Sequence, residues 1–292
     1  MYYFVYSLFY LISLLPLRIL YFISDIIYVI IFYLIRYRKV VVLKNLQQAF
    51  PEKSDAERLL IAKKFYKNFV DSILESLKLF STGEEFIKKH CTADYASLDR
   101  LYDENKTCQM HAAHHFNWEW LNRVISLKMK QALVAVYMPL SNKIFEKIIY
   151  RLRTKYGSVM LPATNMKNSF VPWEKKLHCL ILAADQNPGN PDNAYWVNFF
   201  NKPTPFVKGP EKAARKKACP VVFAFTKKIK RGHYHTNYIL ITEDASQLKE
   251  GELTKSYAEA LTQSIKEQPE MWLWSHRRWK WNWKPEYGEI LN

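Results

Sequence analysis

"TCQMHAAHH", residues 107–115, is a short apolar run that stops on a pair of histidines, and the chain behind it reads as a helix near 118–129. The same alternation continues downstream. "ALVAVYMP" (132–139) precedes a helix over 142–154, and "HCLILAADQ" (178–186) is a third apolar run. A helix near 209–217, "CPVVFAFTKK" (219–228), the alternating strand "HYHTNYILIT" (233–242) and a helix near 254–267 follow. One last apolar run, "MWLWSHRRW" (271–279), closes the series. Strands alternating with helices predict an α/β domain built on a mostly parallel sheet flanked by helices. Such sheets carry their sites just beyond the carboxyl ends of the strands. Chemically capable residues stand at those ends: His114 and His115 after the first run, Asp185 and Gln186 after the third.

Three readings compete for "HAAHHFNWEW" (111–120). A histidine cluster with no role is the default for core or surface imidazoles. A metal site would need converging ligands; His111 and His115 can share a helical face, but the chain has no H-E-x-x-H and no cysteine pair nearby, so no metal is expected. The third reading is a histidine–carboxylate dyad. Only His114 has an acid four intervening residues later, Glu119; the same step from His111 meets Phe116 and from His115 meets Trp120. With a strand ending at His114 and a helix beginning near Asn117, Glu119 is expected to bond one imidazole nitrogen, leaving the other to take a proton from a hydroxyl. No G-x-S-x-G lies nearby, which favours direct attack by a substrate alcohol over a covalent enzyme intermediate.

Composition sets the surroundings. With 49% hydrophobic and 24% charged residues, the 292-residue chain is neither disordered nor a multi-span membrane protein. Its 43 Lys+Arg against 27 Asp+Glu leave a formal charge of +16, which favours an anionic partner: nucleic acid, anionic lipid or an acidic carrier protein. The first 38 residues, with only Arg18 and Asp25 charged before Arg36, predict a membrane-anchoring helix with a kink near Pro16. A hairpin or an interfacial helix is the alternative, because Asp25 is costly at mid-membrane depth. Arg36, Arg38, Lys39 and Lys44 follow, so residues 39–292 are expected on the cytosolic side. Cys91, Cys108, Cys179 and Cys219 show no metal-type pairing and read as free thiols of a reducing compartment.

Two further segments carry local signals. Pro51 ends one helix, and Ser54 with Glu57 forms a capping box that opens the next. Leu59, Leu60, Ala62, Phe65, Phe69, Ile73 and Leu77 give that second helix an apolar stripe. At the other end, "MWLWSHRRWKWNWKP" interleaves five tryptophans with Arg277, Arg278, Lys280 and Lys284. It suits a membrane-facing groove or a platform for single-stranded bases, and Trp272 and Trp274 also suit a core strand.

Over nearly its whole length the chain resembles the late (lauroyl and myristoyl) acyltransferases of lipid A synthesis, within the lysophospholipid acyltransferase superfamily. The likeness runs through "YRKVVVLKNLQQAFPEKS" (37–54), "HHFNWEW" (114–120), "VYMPLSNKIFEKIIYRLRTKYG" (136–157), "AADQNP" (183–188), "FFNKPTPFVKGPEKAARKKACPVVF" (199–223) and "PEMWLWSHRRWKW" (269–281). The resemblance implies a glycerolipid-acyltransferase-like fold, 1–38 as anchor and 39–292 as catalytic domain. It implies acyl transfer from an acyl carrier protein thioester to a hydroxyl of a lipid A precursor, at the cytoplasmic face of the bacterial inner membrane, without a cofactor. It assigns the H-x4-E dyad to His114 and Glu119. Arg153, with Arg151 beside it, becomes the substrate-binding or oxyanion arginine, and Asp185 the acid after the third strand. Two departures stand out: Met138 occupies the usual basic position before Pro139, and Phe116 replaces a small glycine and is expected to narrow the pocket. The same chemistry on another membrane lipid, a membrane-tethered nucleic-acid-binding protein, and a non-catalytic scaffold are the alternatives.

Overall fold

A computed structural model describes residues 1–291. Among the described residues there are ten strands: β1 (Cys91–Ala93), β2 (Cys108–Ala112), β3 (Ala132–Tyr137), β4 (Val159–Pro162), β5 (His178–Ala183), β6 (Ala194–Asn198), β7 (Pro203–Val207), β8 (Val221–Lys230), β9 (His233–Thr242) and β10 (Ile290–Leu291). Eleven α-helices surround them: α1 (Tyr2–Leu14), α2 (Leu17–Val29), α3 (Lys39–Ala49), α4 (Asp55–Lys78), α5 (Glu84–His90), α6 (Ala96–Asp103), α7 (Trp118–Lys128), α8 (Lys143–Thr154), α9 (Met166–Phe170), α10 (Gly209–Lys216) and α11 (Glu252–Glu267). Seven strands form one sheet in the order β1-β9-β8-β2-β5-β3-β4. Every neighbouring pair in it is parallel except β8 and β9. Five of the six apolar runs are strands of this sheet, β2, β3, β5, β8 and β9, with helices between them as expected; β1 and β4 join it without a counterpart in the sequence pattern. A smaller sheet, β10-β6-β7, has no counterpart in the sequence reading.

The last apolar run makes no strand. Pro269–Met271 form a 3-10 turn, and Trp272 pairs its backbone with the chain beyond β2 through a single isolated bridge to His115. Trp272 and Trp274 are nevertheless fully buried, so this stretch offers neither indole to bases. Arg278, expected as a surface cation, is buried too; it donates to Asn187 Oδ1 at 3.1 Å and to the Pro205 carbonyl at 2.9 Å.

The break at Leu15 and Pro16 separates α1 from α2 as expected. Together with a π-helical turn, Leu17–Ile35 is 19 residues of helix, long and apolar enough to cross a membrane. The capping box at Ser54 and Glu57 is formed. The stripe on α4 needs correcting: Ala62 and Phe65 are buried, but Leu60 and Ile73 face outward, and the buried side carries Asn68, Asp71, Ser72 and Glu75 instead. Asn68, Asp71 and Glu75 survive there because α2, the α7 N-terminus and the β8–β9 hairpin bring partners for them. All four cysteines are free and buried.

Candidate active site

Neighbouring strands β2 and β5 run parallel with Ala112 opposite Ala183, so the residues two steps beyond each, His114 and Asp185, emerge side by side. His114 Nδ1–H donates to Asp185 Oδ1 at 2.6 Å, and its backbone N–H donates to Oδ2 at 2.9 Å. Trp272 Nε1 donates to the same Oδ2 at 2.7 Å. The Asp185 side chain is only 1% exposed while that of His114 is 28% exposed. Burial alone would push the imidazole's pKa down, but the charge and hydrogen bond of Asp185 outweigh it and hold His114 above the ordinary histidine value. Burial likewise favours a neutral Asp185, yet the His114 charge and the three hydrogen bonds keep it ionised well below the usual carboxylate range. Such a carboxylate fixes the tautomer: Nδ1 carries the proton, and Nε2 is the acceptor.

The expected bond between His114 and Glu119 is not made. Glu119 lies in the first turn of α7, whose N-cap Asn117 accepts from the Trp120 backbone N–H at 3.3 Å. From there its carboxylate reaches across to the last turn of α8. Arg153 Nε lies 3.1 and 3.0 Å from Glu119 Oε1 and Oε2, and Nη2 lies 2.5 Å from Oε1. Trp118 Nε1 donates to Oε1 at 3.1 Å. Desolvation would weaken the Arg153 proton, but the fork with Glu119 outweighs it and holds the guanidinium firmly charged. Arg151 leaves the site: it is exposed and stacks 5.2 Å over the Tyr6 ring of α1.

The other histidines belong to the core. His111 bonds the Gln109 amide at 3.0 Å, and His115 Nε2 is 3.3 Å from Ser264 Oγ. Burial pushes both imidazoles down to about 4, so they are neutral at physiological pH. Among the described residues no group of three or more His, Cys, Asp or Glu is arranged to hold a metal.

His114, Glu119 and Arg153 line a cavity of about 600 Å³. Its walls are Met110, Ala135, Met160 and Ile181 from the sheet and Leu121 and Ile125 from α7. The cavity is apolar inside and charged only where these three side chains meet. Met138 lies at the rim, so a thioether stands where the resemblance expects a cation. Phe116 does not narrow it; the ring is fully buried against Phe65, Phe69 and Trp118. Beneath the loop, Glu75 of α4 accepts from Asn117 Nδ2 (2.9 Å), Tyr234 OH (2.6 Å) and Tyr21 OH (2.8 Å), tying the loop to β9 and α2. Sequence reading missed both this carboxylate and the indole of Trp272; each sits in an apolar or helical stretch whose period gives no sign of a distant polar partner.

Residues 1–281 match the family model described as bacterial lipid A biosynthesis acyltransferase. The chain is similar to the lipid A biosynthesis palmitoleoyltransferase of Escherichia coli (strain K12), at 21% identity over 246 residues, 83% of this chain and 79% of that protein. It is similar to the same degree and over the same shares to the lipid A biosynthesis acyltransferase of Shigella flexneri.

Proposed function

The chain belongs to the family of bacterial lipid A biosynthesis acyltransferases, and from that premise we propose that it moves a fatty acyl chain from an acyl carrier protein thioester to a hydroxyl of a lipid A precursor. The observation that carries the proposal is the His114–Asp185 pair opening onto an apolar cavity of about 600 Å³. In this reading His114 Nε2 takes the hydroxyl proton as the alcohol oxygen bonds to the thioester carbon. Asp185 stabilises the imidazolium so formed. Arg153, steered by Glu119, faces the negative charge that gathers on the carbonyl oxygen or on a phosphate of the acceptor. Collapse of the tetrahedral species breaks the C–S bond, and the imidazolium returns its proton to the leaving thiolate. Glu119 is thus a positioning residue for Arg153, and Asp185 takes the orienting part that the H-x4-E spacing assigned to Glu119.

The cavity suits the acyl chain, and the formal +16 charge suits an acidic carrier protein and a phosphorylated acceptor together. The apolar N-terminal helices fit work at a membrane, which for this acceptor is the cytoplasmic face of the inner membrane. The test is transfer from purified acyl carrier protein thioesters of several lengths to a tetra-acylated lipid A precursor, with the product weighed by mass spectrometry. His114→Ala is expected to lower the rate at least 100-fold, the scale of general-base catalysis. Undiminished transfer by that variant, or acylation of only some other membrane lipid, defeats the assignment.

A further inference from the structure

We propose that residues 1–35 lie in the plane of one leaflet, on the same side of the membrane as the rest of the chain, and do not cross the bilayer. The inference rests on the reading that this enzyme works at a membrane, and concerns how it is held there.

The α2 helix runs alongside α4 and is fastened to it by polar groups along its length. Tyr21 OH donates to Glu75 at 2.8 Å, Ser24 Oγ donates to Asp71 Oδ1 at 2.7 Å, and Lys67 Nζ sits 5.3 Å over the Tyr28 ring. Phe32 meets Tyr66 edge-on at 5.3 Å. From the β8–β9 hairpin, Arg231 donates to Asp25 at 3.0 and 2.9 Å, to Asp71, and to the Tyr21 carbonyl at 3.2 Å. An α2 that spanned the bilayer would have to shed these partners or carry Lys67, Asp71, Glu75 and Arg231 into hydrocarbon. The α1 helix is fastened as well. Lys78 Nζ donates to the Ser13 and Leu15 carbonyls at 2.7 and 2.8 Å, and Phe9 packs between Phe80 and Phe145. Crossing would carry Met1 about 30 Å away and undo every one of these contacts.

What the two helices leave open is apolar. Phe4 and Leu11 of α1 are 74% and 62% exposed, and Phe22 and Ile26 of α2 are 67% and 48% exposed. Beside that face, Lys64, Lys67, Lys228, Lys230 and Arg231 line a cleft with only Asp25, Asp71 and Glu270 against them, and Arg231 already engages both aspartates. Ile229, 66% exposed, tips the hairpin between Lys228 and Lys230. An apolar face with a cationic rim matches one leaflet of an anionic bilayer, tails under the rings and phosphates beside the lysines. The geometry also has a use. α1 leans on α8, the helix that supplies Arg153, and the exposed Met138 and Leu140 line the cavity, so on this proposal a lipid acceptor reaches the site from the same leaflet.

Two cysteine variants of the full chain test this in cells. One carries the cysteine in a short hydrophilic tag ahead of Met1, the other in a tag after Asn292; the four native thiols are buried and leave little background. A membrane-impermeant maleimide is applied to intact cells and to inverted inner-membrane vesicles. In-plane binding expects both tags to label in the same preparation, whichever it is, whereas labelling from opposite sides overturns the proposal. A second arm uses Ile229→Glu with Lys230→Glu and vesicles with and without phosphatidylglycerol. The variant is expected to bind the anionic vesicles at least fivefold more weakly while its transfer activity in detergent is unchanged. Equal binding to both overturns the anionic leaflet as partner. Loss of acyl transfer in the parent chain would sink the functional reading and leave these topological readouts standing.

Discussion

His111, His114 and His115 lie within five positions, yet of the three only His114 lines the cavity, because the pleat turns the first inward and the loop folds the third under Trp272. A single sequence showed that capable residues stand at strand ends. It did not show which acid meets which imidazole, because that depends on sheet order: β2 lies beside β5, so an acid 71 positions away reaches His114 before one five positions away does. The pair predicts a pH profile. His114 works as a base only when neutral, and its pKa is held above 6.5, so kcat/KM rises with pH through a limb on the alkaline side of 6.5. In Asp185→Asn the charge that opposes burial is gone. The limb then moves to lower pH, while the plateau falls at least 100-fold because the imidazolium loses its counter-charge. Glu119→Gln loosens Arg153 instead; the plateau falls and the limb stays where it was. A kcat/KM titration of the three proteins distinguishes the two carboxylates, and an unmoved limb in Asp185→Asn removes the pairing from the mechanism.

At the scale of elements, α4 does more than fill a layer. Part of its apolar stripe, Ala62 and Phe65, was legible in the sequence, as were β2, β3, β5, β8 and β9 and the helices between them, because each buries a face at its own repeat. Its other face was not legible, since Asp71 and Glu75 are buried by partners from α2, from the loop before α7 and from the β8–β9 hairpin, and no local repeat records them. The same holds for Trp272, whose run looked like a strand by composition but lies as an irregular cover over the site. Glu75 makes the dependence measurable. Glu75→Ala leaves Tyr21, Asn117 and Tyr234 without their acceptor and is expected to cost about 3 kcal/mol or more, since each buried donor left unpaired costs about 1–3 kcal/mol. Tyr234→Phe removes one donor and keeps the acceptor's other two, so it is expected to cost about 1 kcal/mol. Chemical unfolding in detergent gives both values. Equal losses would mean that Glu75 is not the knot joining helix, loop and strand.

Across the whole molecule, acid stability follows from groups that no local pattern marks. Burial, aided at His276 by the Arg278 charge, pushes His111, His115 and His276 down to about 4, so the folded chain refuses protons that the unfolded chain accepts below about 6.5. His178 and His233, held low by burial, act in the same direction. Glu75 acts against them. Burial, with the Asp71 charge, raises it to about 7 despite its three hydrogen bonds, so the folded chain keeps a proton that the unfolded chain gives up above about 4.5. Near pH 5.5 the three imidazoles held near 4, set against one carboxylate, give a net uptake of about two protons on unfolding, to which His178 and His233 add. Stability is therefore expected to climb with pH by roughly 2–3 kcal/mol per unit between pH 5 and 6. His114 and Asp185 add little there, because the first is protonated and the second ionised in both states. Glu75→Gln deletes the opposing proton, so its slope steepens by about one proton, or roughly 1.4 kcal/mol per unit, whatever it does to absolute stability. Denaturant midpoints at half-unit pH steps measure both slopes. A variant whose slope is unchanged would show that Glu75 is ionised in the fold as it is in the unfolded chain, and would remove it from the balance.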